Sequence, residues 1–142
     1  MNRLTGVWKL ERWRSDDREP FGADPVGTLV YTAGGTMISC FMRRHRAPVA
    51  ASMEELASWR RAPRSKDLER RFLDAALSFN SYSGRYSVED AQVHHDVEIA
   101  LFPDWIGKRL TRDFRLERDR LALSFGRDVL SWLRRANADA VL

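Results

Sequence analysis

The sequence predicts an all-β protein, an eight-stranded antiparallel up-and-down barrel with a helical insertion between strands three and four. Three observations lead to this fold class. Eight segments alternate apolar and polar residues with a period of two, which is typical of half-buried strands. Most connections between them are short and rich in turn residues, so consecutive strands are expected to be antiparallel neighbours. One stretch, residues 48–80, lacks the alternation and has helical spacing instead.

The eight strands follow one another along the chain. They are predicted at residues 5–13, 27–32, 36–43, 83–89, 92–101, 108–117, 120–126 and 129–135. Turn residues separate them, for example Gly34-Gly35 after the second strand and Asp90-Ala91 after the fourth. A closed barrel of eight strands leaves no open edge and is about wide enough to hold one small ligand. The length of 142 residues fits a single domain over 1–142.

The insertion, about residues 48–80, is predicted to contain two helices. Ser52 and Glu55 fit a capping box, in which two side chains satisfy free amides reciprocally, so a short helix is expected to begin there and to end before Pro63. A second helix is expected to begin near Ser65. The apolar face of the second helix consists of Leu68, Phe72, Ala76 and Phe79. We expect this face to pack on the barrel wall, and the alternative is a lid over the cavity mouth.

The composition limits the classes of partner and compartment. The net charge is +4, but the arginines are scattered among 20 acidic residues, so nucleic acid is not an expected partner. The single cysteine, Cys40, cannot form an internal disulfide. No segment has the pattern of a signal peptide or a membrane span. We therefore expect a soluble cytoplasmic protein with no membrane partner.

Six short motifs occur in order along most of the chain. They are LTGVWKL (4–10), GTLVYT (27–32), YSGRY (82–86), VHHDVE (93–98), FPDWIG (102–107) and WLR (132–134). Together they resemble the lipocalin-like domain family of bacteria and fungi. The resemblance implies a small antiparallel barrel built around a cavity. It also implies that Arg134 stacks over Trp8 in a structural cation–π contact, because the family pattern places a late arginine over the early tryptophan.

The fourth and fifth strands are predicted to form a hairpin, and counting outward from its turn gives the pairing. Three pairs share one face: Tyr86 with His95, Gly84 with Val97, and Tyr82 with Ile99. The opposite face carries His94, Asp96 and Glu98. Because the first set is apolar and aromatic, we expect it to point into the barrel and the second set to point outward.

The sequence leaves the register between the fifth and sixth strands open. Arg112 lies in the middle of the apolar face of the sixth strand. A five-residue loop at 103–107 pairs Glu98 with Arg112, and a shift of one residue pairs Val97 with Arg112 instead. A slip of one residue exchanges the two faces of a strand, so this choice decides which polar residues face the cavity.

Four residues are candidates for catalysis: His94, His95, Glu98 and Arg112. In the first register the cavity holds His94 and Glu98, which form an acid–base pair, and Arg112, a cation that stabilises negative charge. In the second register it holds His95 and Tyr86 with Arg112, among apolar walls. The resemblance favours the first register, because the family pattern has a histidine and a glutamate at these positions. The alternation of apolar residues favours the second.

The ligand-binding wall is predicted from inward-facing aromatic and apolar residues. They are Tyr31, Phe41, Tyr82, Tyr86, Val97, Phe114 and Trp132. We expect a cavity of roughly 300–1,000 Å³ that accepts an apolar or aromatic molecule. Adjacent strand residues such as His94 and His95 point to opposite faces and cannot readily chelate one ion, so no metal is expected. No phosphate-binding glycine loop or dinucleotide motif is present, so no cofactor is expected.

Two functional hypotheses follow from these residues. Some barrels similar to this family occur beside natural-product pathways and act without cofactors, so the resemblance implies a cyclase or isomerase for a hydrophobic natural-product intermediate. The alternative is a non-catalytic carrier or binding protein for a small hydrophobic molecule. In both hypotheses the expected partner is a hydrophobic small molecule, and the sequence leaves a homodimer open.

Overall fold

The computed structural model describes residues 2–59, 61 and 65–136. Its strands are β1 (Gly6–Ser15), β2 (Val26–Tyr31), β3 (Thr36–Met42), β4 (Phe79–Glu89), β5 (Gln92–Ala100), β6 (Arg109–Glu117), β7 (Arg120–Phe125) and β8 (Asp128–Arg134). Each strand pairs antiparallel with the next, and β8 pairs with β1, so the sheet closes into an up-and-down barrel. The predicted fold class is confirmed. Helices α1 (Met53–Ser58) and α2 (Lys66–Leu77) lie between β3 and β4, and a short 3₁₀ helix, Pro103–Trp105, connects β5 to β6.

One end of the barrel is closed by Trp8 and Arg134, which lie opposite each other on β1 and β8. The guanidinium carbon of Arg134 lies 4.2 Å from the centre of the Trp8 ring, so the predicted cation–π contact is confirmed. Arg134 also donates a hydrogen bond of 2.7 Å to the carbonyl of Thr5. A Cβ atom at Gly6 would lie 2.8 Å from Nη1 of Arg134, and Gly6 has a φ of 142°. The glycine before the tryptophan therefore makes room for the arginine.

Both helices of the insertion begin at the predicted serines. The Ser52 hydroxyl accepts a hydrogen bond of 3.1 Å from the Glu55 amide, and the Ser65 hydroxyl accepts one of the same length from the Leu68 amide. These bonds satisfy amides that have no partner within the first helical turn. Pro63 lies outside the described residues. None of the described helices is long and apolar enough to cross a membrane.

The boundary between α2 and β4 differs from the prediction. The helix ends at Leu77, and Phe79 is the first residue of β4, which was predicted to begin at residue 83. The helical spacing of apolar residues continues through Phe79, so the local pattern placed this residue on the helix. Its backbone pairs instead with Met42, and Asn80 pairs with Phe41. The pairing with β3 therefore decides the conformation over the local pattern.

The helical pair covers little of the barrel wall. No residue of α1 or α2 is buried, and Leu73 on α2 is 55% exposed. Phe72 packs against Trp59 at the end of α1, with ring centroids 4.9 Å apart. Arg46, from the loop after β3, donates a hydrogen bond of 2.7 Å to the Ala75 carbonyl and holds the C-terminal end of α2. The expected packing of the apolar face on the barrel is thus only partial: Leu77 lines the barrel cavity, whereas Phe72 contacts Trp59.

The predicted pairing of β4 with β5 is confirmed near the turn and wrong beyond it. Tyr86 pairs with His95 and Gly84 with Val97, as predicted. Glu98 is then an extra residue, a β-bulge, and the pairing continues with Tyr82 opposite Ala100. The bulge exchanges the faces of the residues that follow it. Ile99, which was predicted to point inward, is consequently 69% exposed.

Both predicted registers between β5 and β6 are wrong. Arg112 pairs with Val93 rather than with Glu98 or Val97, and His95 pairs with Leu110. The Gly107 amide donates a hydrogen bond of 2.9 Å to the Val97 carbonyl, so the connection is longer than the five residues assumed. The observed register nevertheless places Arg112 and His95 on the inner face, as the alternation of apolar residues indicates.

Candidate functional site

The barrel contains a cavity of about 270 Å³, slightly smaller than the predicted range. Its wall is mainly aromatic and is formed by Trp13, Phe21, Phe41, Phe79, Tyr82, Phe102, Trp105, Phe125 and Trp132. The aliphatic residues Leu77, Leu123 and Leu130 and the polar residues Ser39, Asn80 and Arg112 complete it. Leu77, at the end of α2, is 60% exposed, so the cavity reaches the surface beside this helix.

The aromatic rings of the wall contact one another mostly edge to face. Trp13 meets Phe21 with ring centroids 4.8 Å apart and Phe41 with centroids 5.6 Å apart. Trp105, from the connection between β5 and β6, meets Tyr82 at 5.7 Å. Such contacts add to the free energy gained by burying the rings, and they hold the rings in defined orientations. The wall is therefore a shaped apolar surface.

The predicted ligand-binding residues divide into two groups. Those that line the cavity are Phe41, Tyr82 and Trp132. Those that lie in or against the core, away from the described cavity lining, are Tyr31, Tyr86, Val97 and Phe114. Inward orientation alone does not distinguish the groups, because the barrel interior is partly filled by side chains.

Several cavity residues were missed by the sequence analysis. Asn80 was assigned to the helical insertion, although the series Asn80, Tyr82, Gly84, Tyr86 has the period-two spacing of one inner face. Strict alternation from Leu10 predicts that Trp13 points outward. A β-bulge at Glu11 in β1 shifts the alternation, so Trp13 points inward instead. The signal that could have found Trp13 is its size, because a large aromatic side chain at a strand end favours burial.

Arg112 is the cationic group among the described cavity residues. Its guanidinium carbon lies 3.7 Å from the centre of the Phe125 ring, which is a cation–π contact. Its Nη1 donates a long hydrogen bond, 3.4 Å, to the carbonyl of Thr111, and Arg112 also donates towards the hydroxyl of Tyr82. Within the described part of the chain, no carboxylate lies within ion-pair distance of Arg112. A half-buried guanidinium thus faces an apolar cavity without an acidic partner.

Two further polar groups of the cavity wall have no hydrogen-bond partner among the described residues. One is the indole N–H of Trp132, and the other is the side-chain carbonyl of Asn80. Both atoms are buried. Buried polar groups are nearly always hydrogen-bonded in folded proteins, and an unsatisfied group costs about 1–3 kcal/mol. These two atoms therefore mark places where a ligand could contribute hydrogen bonds.

Next to the cavity, His95 is held between two tyrosines. Its Nε2 lies 2.7 Å from the hydroxyl of Tyr31, and its Nδ1 lies 2.8 Å from the hydroxyl of Tyr82. Burial, together with the positive charge of Arg112, lowers the pKa of His95 from 6.5 to about 3. The imidazole is therefore neutral near pH 7, with one nitrogen donating and the other accepting.

The two tyrosines are also perturbed. Burial raises the pKa of Tyr31 well above its usual value of 10.0. Burial also raises the pKa of Tyr82, and the nearby Arg112 opposes this effect. Both phenols therefore stay protonated near neutral pH. Tyr31, Tyr82 and His95 were predicted as separate site residues, and the structure joins them in one hydrogen-bonded chain.

Nearly the whole chain, including this cavity, matches a known family. A family model described as a lipocalin-like domain matches residues 5–142. The chain belongs to the lipocalin-like domain family. The resemblance inferred from the short motifs is confirmed.

Two solved structures share the fold of this lipocalin-like protein. One is a lipocalin-like protein from Bacteroides uniformis ATCC 8492, with 13% identity and a TM-score of 0.52 over 94% of this chain and 100% of that one. The other is an uncharacterized protein from Bacteroides eggerthii DSM 20697, with 10% identity and a TM-score of 0.51 over 93% of this chain and 99% of that one. At such identities the likeness shows the fold alone. No curated protein matches the chain significantly.

The lipocalin-like barrel separates the four residues predicted to be catalytic. Arg112 lines the cavity, and His95 lies buried beside it. His94 is on the outer face, where its Nδ1 lies 2.8 Å from the Thr111 hydroxyl. Glu98 is exposed at the β-bulge. The structure thus does not bring His94 and Glu98 to Arg112, and the catalytic roles stay predictions.

Metal binding has no obvious site on the described residues of this barrel. No group of three or more histidine, cysteine, aspartate or glutamate side chains in residues 2–59, 61 and 65–136 could hold an ion. The side chains that line the cavity are mostly aromatic and aliphatic, which are not metal ligands. The expected absence of a metal stays a prediction.

Proposed function

We propose that this lipocalin-like protein binds a small hydrophobic molecule in its cavity. The observation that carries the proposal is the aromatic wall of a cavity of about 270 Å³ that reaches the surface beside α2. Concave, mainly apolar sites with a few polar groups are typical of small-molecule binding. Burial of apolar ligand surface supplies the binding free energy, at roughly 25 cal/mol per Å².

Binding can be measured with N-phenyl-1-naphthylamine, a neutral aromatic probe whose fluorescence rises in apolar surroundings. The probe has roughly 17 non-hydrogen atoms, and at about 0.4 kcal/mol per atom its Kd would be about 10 µM. Leu130 lines the cavity, so the bulkier side chain of the Leu130→Trp variant should fill part of it and weaken binding about tenfold or more.

The matched control is Val129→Trp on the same strand. Val129 is 38% exposed and belongs to the outer face, so this variant adds the same bulk outside the cavity. It should bind the probe as the wild type does. Equal binding by the two tryptophan variants, or no binding by the wild type, contradicts the proposed site.

A second candidate function is a cofactor-free isomerase or cyclase for a hydrophobic intermediate. The contact between Tyr82 and His95 favours it, because Tyr82 lines the cavity. In the tautomer with the proton on Nδ1, His95 donates to Tyr82 and accepts from Tyr31 through Nε2. The hydroxyl hydrogen of Tyr82 is then available to a ligand carbonyl, and Arg112 would stabilise the negative charge that forms on that carbonyl during enolisation.

This candidate can be tested by hydrogen exchange on a ketone. The probe is 2-tetralone in deuterated buffer, where water removes a proton from the carbon next to the carbonyl and returns a deuteron. The protein should accelerate this exchange about tenfold or more over buffer, as followed by NMR. Tyr82→Phe should abolish the acceleration, whereas Tyr86→Phe, which removes a hydroxyl outside the described cavity lining, should preserve it. Exchange at the buffer rate in the wild type argues for a binding role alone.

A further inference from the structure

The described residues of the cavity combine an apolar wall with one fixed positive charge. The guanidinium of Arg112 rests on the ring of Phe125, at 3.7 Å, and its hydrogen bond to Thr111 is long, at 3.4 Å. A guanidinium has five N–H donors in one plane, so stacking on a ring leaves most of them available at its edge. No described carboxylate balances the charge. A half-buried arginine without an acidic partner favours binding of an anion from outside the protein.

A second unsatisfied donor belongs to a residue in the wall of the same cavity. The indole N–H of Trp132 is buried and has no acceptor among the described residues. An indole nitrogen can only donate, so it needs an acceptor oxygen from a ligand or from water. Trp132 and Arg112 therefore require the same kind of group, one with acceptor oxygens.

We infer that the ligand is an apolar molecule that ends in a carboxylate, and that Arg112 and the indole N–H of Trp132 bind this carboxylate. The inference rests on the proposed binding function and defines the class of ligand. A carboxylate has two coplanar oxygens that match the guanidinium edge. It also carries a single negative charge, which balances the one cation among the described cavity residues. A phosphate with two charges would leave one of them unbalanced against apolar walls.

The test compares two compounds that differ only in charge and in one polar group. Naphthalene-1-acetate and naphthalene-1-acetamide are titrated at pH 7.5 against the protein with bound N-phenyl-1-naphthylamine, and displacement is followed by fluorescence. In the wild type, the carboxylate should compete about tenfold more strongly than the amide, because its hydrogen bonds to Arg112 are charge-assisted.

Three variants locate the effect. Arg112→Met keeps the length of the side chain but removes the charge and donors, so the preference for the carboxylate should disappear. Trp132→Phe removes one donor and keeps an aromatic ring, so the preference should fall severalfold. Arg115→Met is the control, because Arg115 is exposed on the same strand and pairs weakly with Glu117 at 4.0 Å. It should retain the full preference.

The outcomes separate this inference from the proposed function. Equal competition by the two compounds in the wild type overturns the carboxylate assignment while leaving the binding function intact. A preference that persists in Arg112→Met overturns the role of Arg112. If Arg112→Met no longer binds the fluorescent probe, Trp132→Phe provides the same comparison, and an unchanged preference there overturns the assignment. If neither the probe nor either compound binds the wild type, the proposed function is wrong and the inference falls with it.

Discussion

A shift from pH 7 to pH 4 should destabilise the barrel by about 3 kcal/mol through His95 alone. Burial, with a contribution from Arg112, lowers the pKa of His95 in the folded protein from 6.5 to about 3. Below pH 6.5 the unfolded chain therefore binds a proton that the folded protein does not yet bind. Proton uptake by the unfolded state favours unfolding, so stability falls as the pH drops from about 6.5 towards 3.

The structural reason is the position of His95 between Tyr31 and Tyr82. The side chain is completely buried and has a hydroxyl on each ring nitrogen, at 2.7 and 2.8 Å. No described carboxylate hydrogen-bonds to the ring, and the charge with the largest effect on it, that of Arg112, is positive. Asp96 acts in the opposite direction, but its effect is smaller than that of burial. Protonation would therefore place a charge in the core beside another of the same sign.

The measurement is urea unfolding of the wild type and of His95→Gln between pH 7 and pH 4. The variant removes the titrating group, so its free energy of unfolding should fall less over this range, whatever its stability at pH 7. His45→Gln is the control, because His45 is exposed in the loop after β3. This control should follow the wild-type curve. An equal pH dependence in His95→Gln and the wild type would contradict the assignment to His95.

The sequence predicted the strands well because each one buries a single face. All eight predicted segments correspond to observed strands, with ends that mostly agree within two residues. A period-two pattern reports which side chains are buried, and burial is the same physical property that stabilises the strand in the barrel. The same pattern placed His95 on the inner face and His94 on the outer face, as the structure has them, although His94 is also buried, against Thr111.

The site was harder to predict, because it depends on contacts between residues far apart in the chain. Tyr31, Tyr82 and Tyr86 all alternate inward, yet Tyr82 lines the cavity and the other two pack against each other, with ring centroids 4.6 Å apart. Alternation gives the direction of a side chain, but the remaining space depends on the sizes of all inward-facing residues together. The register of β6 depends similarly on the folded connection before it, which contains the 3₁₀ helix Pro103–Trp105.

The β-bulge at Glu98 was invisible to alternation, yet the strand opposite it carries a signal. Gly84 pairs with Val97, just before the extra residue. A Cβ atom at Gly84 would overlap the carbonyl oxygen of Asp96 and would lie 3.1 Å from the amide nitrogen of Glu98. A glycine within a strand often marks such a bulge or a close approach of two backbones. The residue type at position 84 is therefore required by the bulge that turns Ile99 outward.

Replacement of Gly84 by alanine should lower the free energy of unfolding by about 3 kcal/mol or more, which is large for one added methyl group. The atoms that the new Cβ meets belong to the backbone of β5 and cannot rotate away as a side chain can. Either the bulge must shift or β4 and β5 must separate, and both changes break hydrogen bonds between the two strands. The control is Gly34→Ala, because a Cβ at Gly34 meets nothing closer than the Thr32 hydroxyl, at 3.9 Å. Urea unfolding should show Gly34→Ala within about 0.5 kcal/mol of the wild type, and a similarly small change in Gly84→Ala would show that the bulge rearranges freely.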